Sequence, residues 1–243
     1  MSAADVHPPR SDPDDGRVLA FIAAHRLVLA SHVQELLNVG HQAAHERLSA
    51  LEERRLVRRC RVSRGHGYYQ ITEIGLGVIG SDLPPPRVRL DRCRHDVGVA
   101  WVWIAADRRA FGRVDRVLTE REQRSHDASR THPPSPDRPD DPLFGLRVAG
   151  NPTALHYPDL LLLGRKGERV PVELMLTSGG QRQLQTLMAS YGAEQNISAV
   201  LYLTETPAIR DTTKRMAAEL GIEDLIWVRT VTILKDAQPA AAQ

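Results

Sequence analysis

The chain has 243 residues, of which 42% are hydrophobic and 26% are charged, and its formal net charge is only +2. This composition is typical of a globular protein, and at roughly 150 residues per domain the length allows one large domain or two small ones. No apolar run approaches the roughly 18 residues of a membrane span, and the acidic N-terminus lacks the apolar core of a secretory signal. Two cysteines exclude a disulfide scaffold and a four-thiolate zinc site, so we expect a cytoplasmic protein with no membrane partner.

Changes in composition divide the chain into segments. Residues 1–15 are rich in Pro, Asp and Ser, which predicts disorder. The Pro-rich segment 82–89 predicts a linker, because three consecutive prolines cannot continue a helix. It separates a first domain, residues 16–81, from a second domain, residues 90–235. The tail 236–243 is expected to be frayed.

In the first domain, the predicted elements are three short helices followed by a hairpin. Apolar residues recur at helical spacing in residues 17–26, 30–37 and 42–55, and the following residues alternate as two strands around a turn at 64–67. This is the element order of a winged helix-turn-helix. The phrase HERLSALEERRLVRR, followed by a glycine-containing turn and YYQITEIG, resembles that superfamily. The resemblance implies a DNA-binding domain.

The residue types of the third helix and the hairpin suit DNA. Side chains in the first turns of a helix in the major groove contact base edges, where glutamine pairs with adenine and glutamate accepts from cytosine. The stretch RRLVRRCRVSR holds six arginines and no acid, and arginines of a wing bind phosphates or the minor groove. The predicted DNA-binding residues are His41, Gln42, His45, Glu46, Arg58, Arg59, Arg61, Arg64 and His66. The alternative is a protein-docking module, since Glu46, Glu52 and Glu53 would repel phosphate.

The second domain is predicted to be an α/β layout around a mixed sheet. The expected order is a helix, three strands, a helix, a strand, a helix and a strand, with a long mobile loop at 126–150. The first helix is predicted from Cys93 to about Arg109. The remaining elements are expected at residues 111–118, 157–164, 170–176, 181–194, 199–203, 208–220 and 225–233.

Two carboxylates are expected to meet in this sheet. Asp159 begins one predicted strand and Glu173 lies in the next, so a hairpin between the strands would bring them together. Glu120 or Glu122, at the end of the preceding strand, is the candidate third acid. Grouped carboxylates bind Mg²⁺, which activates water and neutralises phosphate during hydrolysis. The sequence therefore indicates a candidate metal-dependent nuclease centre.

Residues 90–234 resemble the PD-(D/E)XK nuclease superfamily, with one important departure. That superfamily places a lysine two residues after the glutamate, whereas this chain has Met175, which can neither orient water nor stabilise charge. Lys166, Arg165 or Arg182 could substitute from elsewhere, and Arg182 could instead neutralise the carboxylate pair. We therefore expect a catalytically degenerate centre without a cofactor, and Mg²⁺ bound by the two carboxylates only if the protein is a nuclease.

Together, the winged helix and the stretches HYPDLLLL, VPVELMLT and AVLYLT resemble the replication-relaxation family of actinobacterial plasmids and integrated mobile elements. The resemblance implies an N-terminal winged helix-turn-helix followed by a restriction-endonuclease-like α/β domain with a mixed sheet. It implies a sequence-specific protein that binds double-stranded DNA and regulates or maintains a mobile element. A homodimer is expected, with the helix carrying Trp101 and Trp103 as a candidate interface. The alternatives are a Mg²⁺-dependent DNA endonuclease and a protein-interaction adaptor without DNA contact.

Overall fold

The structure is a computed structural model that describes residues 12–61, 67–129 and 143–233. The described chain divides into two compact units between Pro86 and Arg87. This division falls inside the segment 82–89, so the first unit continues five residues beyond the predicted domain end at residue 81. The tail 236–243 lies outside the described residues. Within the described ranges, no helix combines the length and the apolar character needed to cross a bilayer.

The first unit contains the predicted order of three helices and a hairpin. Its elements are α1 (Pro13–Ala24), α2 (Ala30–Leu37), α3 (His41–Glu53), β1 (Val57–Arg61), β2 (Gly67–Ile71) and α4 (Glu73–Val78). β1 and β2 are antiparallel, with Val57 opposite Ile71. Val28 and Tyr69 exchange two backbone hydrogen bonds of 3.0 and 2.7 Å, so a third extended segment joins the free edge of β2. The helices pack through buried apolar residues that include Ile22 and Leu48.

Helix α1 begins earlier than the sequence predicted, and the prediction of disorder up to residue 15 is wrong from Asp12 onward. Asp12 caps the helix by accepting a hydrogen bond from the Asp14 backbone N–H at 2.9 Å. Asp15 lies 2.7 Å from Arg47 and 2.9 Å from Arg54 of α3. These ion pairs join residues far apart in the chain, which local composition cannot indicate.

The second unit is built around a five-stranded mixed sheet. Its helices and strands are α5 (Cys93–Asp107), β3 (Arg116–Thr119), α6 (Glu120–Ala128), β4 (Leu146–Val148), β5 (Asn151–His156), β6 (Leu160–Leu163), β7 (Arg169–Met175), α7 (Gln181–Ala193), β8 (Val200–Thr204), α8 (Pro207–Glu219) and β9 (Ile226–Thr230). The strand order is β3-β6-β7-β8-β9; the first three strands are antiparallel and the last three are parallel. The predicted α/β class with a mixed sheet is confirmed. β4 and β5 form a separate hairpin that the sequence analysis did not predict.

Helices cover both faces of the sheet. α5 packs so closely on β7 that a Cβ at Gly98 would lie 2.6 Å from Leu174 Cδ2, so a larger residue there would force the Leu174 side chain to move. On the opposite face, α7 and α8 form a core with β8 and β9, in which Met188 and Tyr202 are almost fully buried. Because neighbouring residues of a strand point to opposite faces, Glu173 points away from Leu174 and α5, toward Tyr191 of α7.

Two predictions for the second unit are wrong. Glu120 and Glu122 do not end a strand; they lie in the first turn of α6, which begins with a capping box between Thr119 and Glu122. The predicted mobile loop 126–150 is ordered at both ends, because α6 continues to Ala128 and the β4–β5 hairpin begins at Leu146. Residues 130–142 of that loop lie outside the described residues.

Candidate functional site

The first turns of α3 present polar side chains to solvent. His41, Gln42 and Glu46 are exposed, and His45 is half-buried. The rings of His41 and His45 stack with their centroids 4.3 Å apart. Gln42 Nε2 donates to Glu46 Oε1 at 2.8 Å. This bond orients the Gln42 amide and leaves its oxygen and second N–H available, the two groups that pair with adenine.

The hairpin arginines lie on two different faces. Arg58 donates to Gln70 Oε1 at 2.9 Å, and Cys60 Sγ lies 3.6 Å from the same oxygen, so these two side chains share one face of β1. Because side chains alternate along a strand, Arg59 and Arg61 share the other face. Both are exposed. The sequence alone predicts DNA contacts for the arginines of both faces.

Arg59 links the hairpin to α3. Burial lowers the pKa of His45, and the nearby charges of His41 and Arg59 lower it further. A lowered pKa favours the neutral imidazole at pH 7, which can accept as well as donate a hydrogen bond. We call the exposed and half-buried polar side chains on these two elements the α3–β1 surface. It consists of His41, Gln42, His45, Glu46, Arg59 and Arg61. Arg64 and His66, also predicted to bind DNA, lie outside the described residues.

Arg58 has a structural contact instead. Its partner Gln70 is buried and donates through Nε2 to the backbone oxygens of Arg26 and Pro86, at 2.9 and 3.3 Å. Arg58 is exposed like Arg59 and Arg61, but its guanidinium is bound to the buried Gln70, which ties the hairpin to the end of the first unit. Arg58 is therefore not part of the α3–β1 surface.

In the second unit, β6 and β7 bring the two predicted carboxylates together. Leu160 pairs with Val172 across the antiparallel strands, so the preceding Asp159 and the following Glu173 are neighbours. Asp159 Oδ2 also accepts a hydrogen bond from the Leu174 backbone N–H at 2.8 Å. Both carboxylates line a cleft of about 400 Å³. The predicted juxtaposition is therefore present.

Each carboxylate is paired with a histidine. His95 Nε2 of α5 lies 3.1 Å from Asp159 Oδ2, and His156 Nε2 of β5 lies 2.6 Å from Glu173 Oε1. The Tyr191 hydroxyl donates to the same Glu173 oxygen at 2.5 Å. The sequence analysis missed both pairs. The proximity of His156 to Asp159 in HYPD was the one local signal, whereas His95 reaches the site only because α5 packs on the sheet.

The pKa shifts agree with these contacts. Burial opposes the charged form of His95, but the charge and hydrogen bond of Asp159 outweigh it and raise the pKa of His95 to about 10. In return, although burial acts in the opposite direction, His95 and the Leu174 N–H lower the pKa of Asp159. The pKa of His156 is raised by Glu173 despite burial, and burial together with Asp159 raises the pKa of Glu173. Because both pKa values of the second pair are raised, His156 and Glu173 together hold a proton to a higher pH than the free side chains would.

The described residues contain no group of three or more His, Cys, Asp and Glu side chains placed to hold a metal ion. Glu122 is engaged elsewhere, because its carboxylate accepts from the Thr119 backbone N–H at 2.8 Å and from its hydroxyl at 3.0 Å. Glu120 does line the cleft, where it lies 2.8 Å from Arg124. Of the two predicted third acids, only Glu120 is at the cleft.

Met175, which stands where the nuclease superfamily has its lysine, is part of the cleft wall. Met175 lines the cleft, and its Sδ accepts a hydrogen bond from the Thr213 hydroxyl at 3.8 Å. Its thioether is a weak acceptor and carries no charge.

The proposed substitutes for the missing lysine lie elsewhere. Arg165 and Lys166 are in the turn that joins the far ends of β6 and β7, where Arg165 lies 3.2 Å from Asp115. Arg182 is exposed and does not line the cleft, so the expectation that it neutralises the carboxylates is wrong; histidines do so. The arginines that do line the cleft are Arg92 and Arg124.

The candidate dimer interface on α5 is partly covered within the chain. Trp101 and Trp103 are both half-buried, between fully buried neighbours such as Val102. Each indole therefore packs partly inside the second unit and leaves part of its surface exposed.

Comparisons with known proteins leave the family open. No protein-family model and no curated protein sequence matches the chain. Two mutant forms of Lactococcus lactis ZitR are similar to part of the structure, with sequence identities of 18% and 20% and TM-scores of 0.26 and 0.27. Each match covers 33% of this chain and 53% of ZitR, so the chain spans about half the length of the solved structures it matches.

Proposed function

We propose that the protein binds double-stranded DNA sequence-specifically through the α3–β1 surface. The observation that carries the proposal is the sorting of the hairpin arginines. Arg59 and Arg61 lie on the face of β1 next to the polar first turns of α3, whereas Arg58 is bound to Gln70 on the other face. A helix that offers hydrogen-bonding side chains beside exposed arginines can contact base edges and phosphates at the same time.

The proposed contacts divide into base readout and positioning. Gln42, held by Glu46, offers an acceptor and a donor to one base, and the stacked imidazoles of His41 and His45 extend this polar edge along α3. Arg59 and Arg61 would bind the phosphate backbone. The two groups are held together locally, since Glu52 of α3 accepts a hydrogen bond from the Arg59 backbone N–H at 3.2 Å.

The second unit would then be a nuclease-like domain that does not cleave DNA. Two observations support this: Asp159 and Glu173 are each paired with a histidine, and Met175 stands in place of a lysine. In this proposal, the protein regulates or maintains a plasmid or an integrated mobile element, and it acts as a homodimer. If the protein binds no DNA, the remaining alternative is an adaptor that docks other proteins.

A Mg²⁺-dependent DNA endonuclease is the second candidate. The observation in its favour is that Asp159, Glu173 and Glu120 all line one cleft. His95 and His156 each contact one oxygen of these carboxylates, so Mg²⁺ would have to bind at the remaining oxygens. The raised pKa of His95 also places a positive imidazolium beside that position, which opposes binding of a second cation.

One experiment separates these functions. The full chain is incubated with a random pool of DNA duplexes, with and without Mg²⁺, and bound and cleaved DNA are sequenced. We expect enrichment of one sequence in both conditions and no cleavage. The variant Arg59→Ala/Arg61→Ala should lose the enrichment, whereas Arg58→Ala, of the same residue type on the opposite face, should keep it. Absence of any enrichment would refute the proposal.

A further inference from the structure

A buried hydroxyl without a hydrogen bond lies in the wall of the cleft. Tyr202 of β8 is 1% exposed and lines the cleft together with Glu173. Its hydroxyl has no hydrogen-bond partner among the described residues. Because an unsatisfied buried polar group is costly, native proteins usually provide a partner for it. A hydroxyl of this kind in a cleft wall points to a ligand that supplies the missing partner.

The N-terminus of α7 opens into the same cleft. Gly180 is the N-cap of this 13-residue helix, and no side chain caps it. Gly179, Gly180 and Gln183 line the cleft, and a Cβ at either glycine would meet no atom within 4 Å, so the space before the helix is open. The first N–H groups of a helix have no partner within the helix, and they carry a partial positive charge that favours anions.

The charges around the cleft also favour an anion. Asp159 and Glu173 are each paired with an imidazole, and the charge of Arg124 is matched by Glu120. Arg92 is exposed and lines the cleft, and it has no ion pair with any residue in the described ranges. A ligand that enters the cleft therefore meets the exposed guanidinium of Arg92, whose charge acts on Asp159 without a direct ion pair, and the positive end of α7.

We propose that this cleft binds a small molecule that carries a phosphate group. The phosphate lies at the N-terminus of α7 and beside Arg92, and a polar atom of the ligand forms the hydrogen bond that Tyr202 lacks. A phosphate monoester has three terminal oxygens, which match helix N–H groups and a guanidinium together better than the two oxygens of a carboxylate do.

The rest of the cleft suits the organic part of such a molecule. Val148, Leu155, Leu184 and Leu187 form an apolar wall. The volume of about 400 Å³ falls within the range of roughly 300–1,000 Å³ that is typical of small-molecule sites. This proposal does not depend on DNA binding by the first unit, so the two can fail separately.

The test titrates the full chain, labelled with ¹⁵N, with three probes followed by NMR. The probes are phenyl phosphate, inorganic phosphate, and phenol as the matched control without a phosphate. We expect saturable shifts of the Gly179, Gly180 and Gln183 amide signals with phenyl phosphate, weaker binding of inorganic phosphate, and no binding of phenol. No Mg²⁺ is added, because the proposed site needs none.

Variants then locate the site. Arg92→Gln and Tyr202→Phe should each raise the Kd for phenyl phosphate by about tenfold. Tyr202→Phe removes only the hydroxyl, and Arg165→Gln, outside the cleft, should leave the Kd unchanged. Equal Kd values in Arg92→Gln and Arg165→Gln would overturn the proposal, as would binding that requires Mg²⁺ or an absence of saturable shifts. Tighter binding of a 5′-phosphorylated oligonucleotide than of phenyl phosphate would overturn the small-molecule assignment.

Discussion

The ion pair between His95 and Asp159 makes the stability of the protein depend on pH. The pKa of His95 rises from an ordinary value of 6.5 in the unfolded chain to about 10 in the native protein. The native state therefore holds an extra proton between these two pH values. A raised pKa means that the stabilisation is complete below pH 6.5 and is lost as the pH rises through 10.

The size of this effect follows from the shift. Each pH unit inside the window reduces the free energy of unfolding by at most ~1.4 kcal/mol. The His95 side chain is 21% exposed and solvent screens part of the charge, so a total of a few kcal/mol is expected across the window. The lowered pKa of Asp159 acts at the acid end, where its stabilisation is lost as the pH falls through the native pKa of that carboxyl.

The substitution that tests this reasoning is His95→Gln, which keeps a hydrogen-bond donor but does not titrate. Urea unfolding of the variant and the wild type is measured from pH 6 to pH 10. We expect the variant to be less stable at pH 6 and the two stability curves to converge as the pH rises. Arg165→Gln, which removes an exposed ion pair outside the cleft, should run parallel to the wild type. A constant difference between wild type and His95→Gln at all pH values would refute the assignment of the extra proton.

Three further predictions concern nucleic acid. Arg59→Ala and Arg61→Ala should weaken binding to all DNA sequences and reduce the slope of log affinity against log salt by about one per lost contact. Arg58→Ala should leave this slope unchanged. Fluorescence anisotropy at several salt concentrations measures both the affinity and the slope. Gln42→Ala should cost roughly 1–3 kcal/mol at one base position of the selected site; an equal loss on random DNA would remove this residue from base readout. Plasmid and linear DNA should stay intact with Mg²⁺ or Mn²⁺ in a gel assay. Cleavage that disappears both in Asp159→Ala and in Glu173→Ala would establish the nuclease candidate instead.

Local sequence patterns predicted those features that depend on a single helix, strand or hairpin. Apolar spacing predicted the amphipathic α3 and the buried strand β8, because burial on one face or on both leaves a periodic signal in the residues themselves. The adjacency of Asp159 and Glu173 followed from a short hairpin, in which the turn sets the register. The α/β class of the second unit follows from the same kind of signal. Roles in DNA binding stay predictions, since neither the fold nor the comparisons test them.

Errors in the prediction occurred where contacts between distant segments outweigh local composition. The acidic start of the chain reads as disordered, but Asp12 caps α1 there, and Asp15 pairs with Arg47 and Arg54 of α3. The TEREQ stretch reads as a strand end, yet the capping box at Thr119 begins a helix there.

The amino-acid sequence by itself determined the three helices and the hairpin of the first unit, the basic character of that hairpin and the neighbouring carboxylates, because these depend on residues close together in the chain. Only the tertiary structure decided what these groups contact. It placed Arg58 against Gln70 and left Arg59 facing α3, and it brought His95 of α5 to Asp159. The physical reason is that charge pairing and burial act through space, so the state of a buried carboxylate depends on which distant side chain packs beside it.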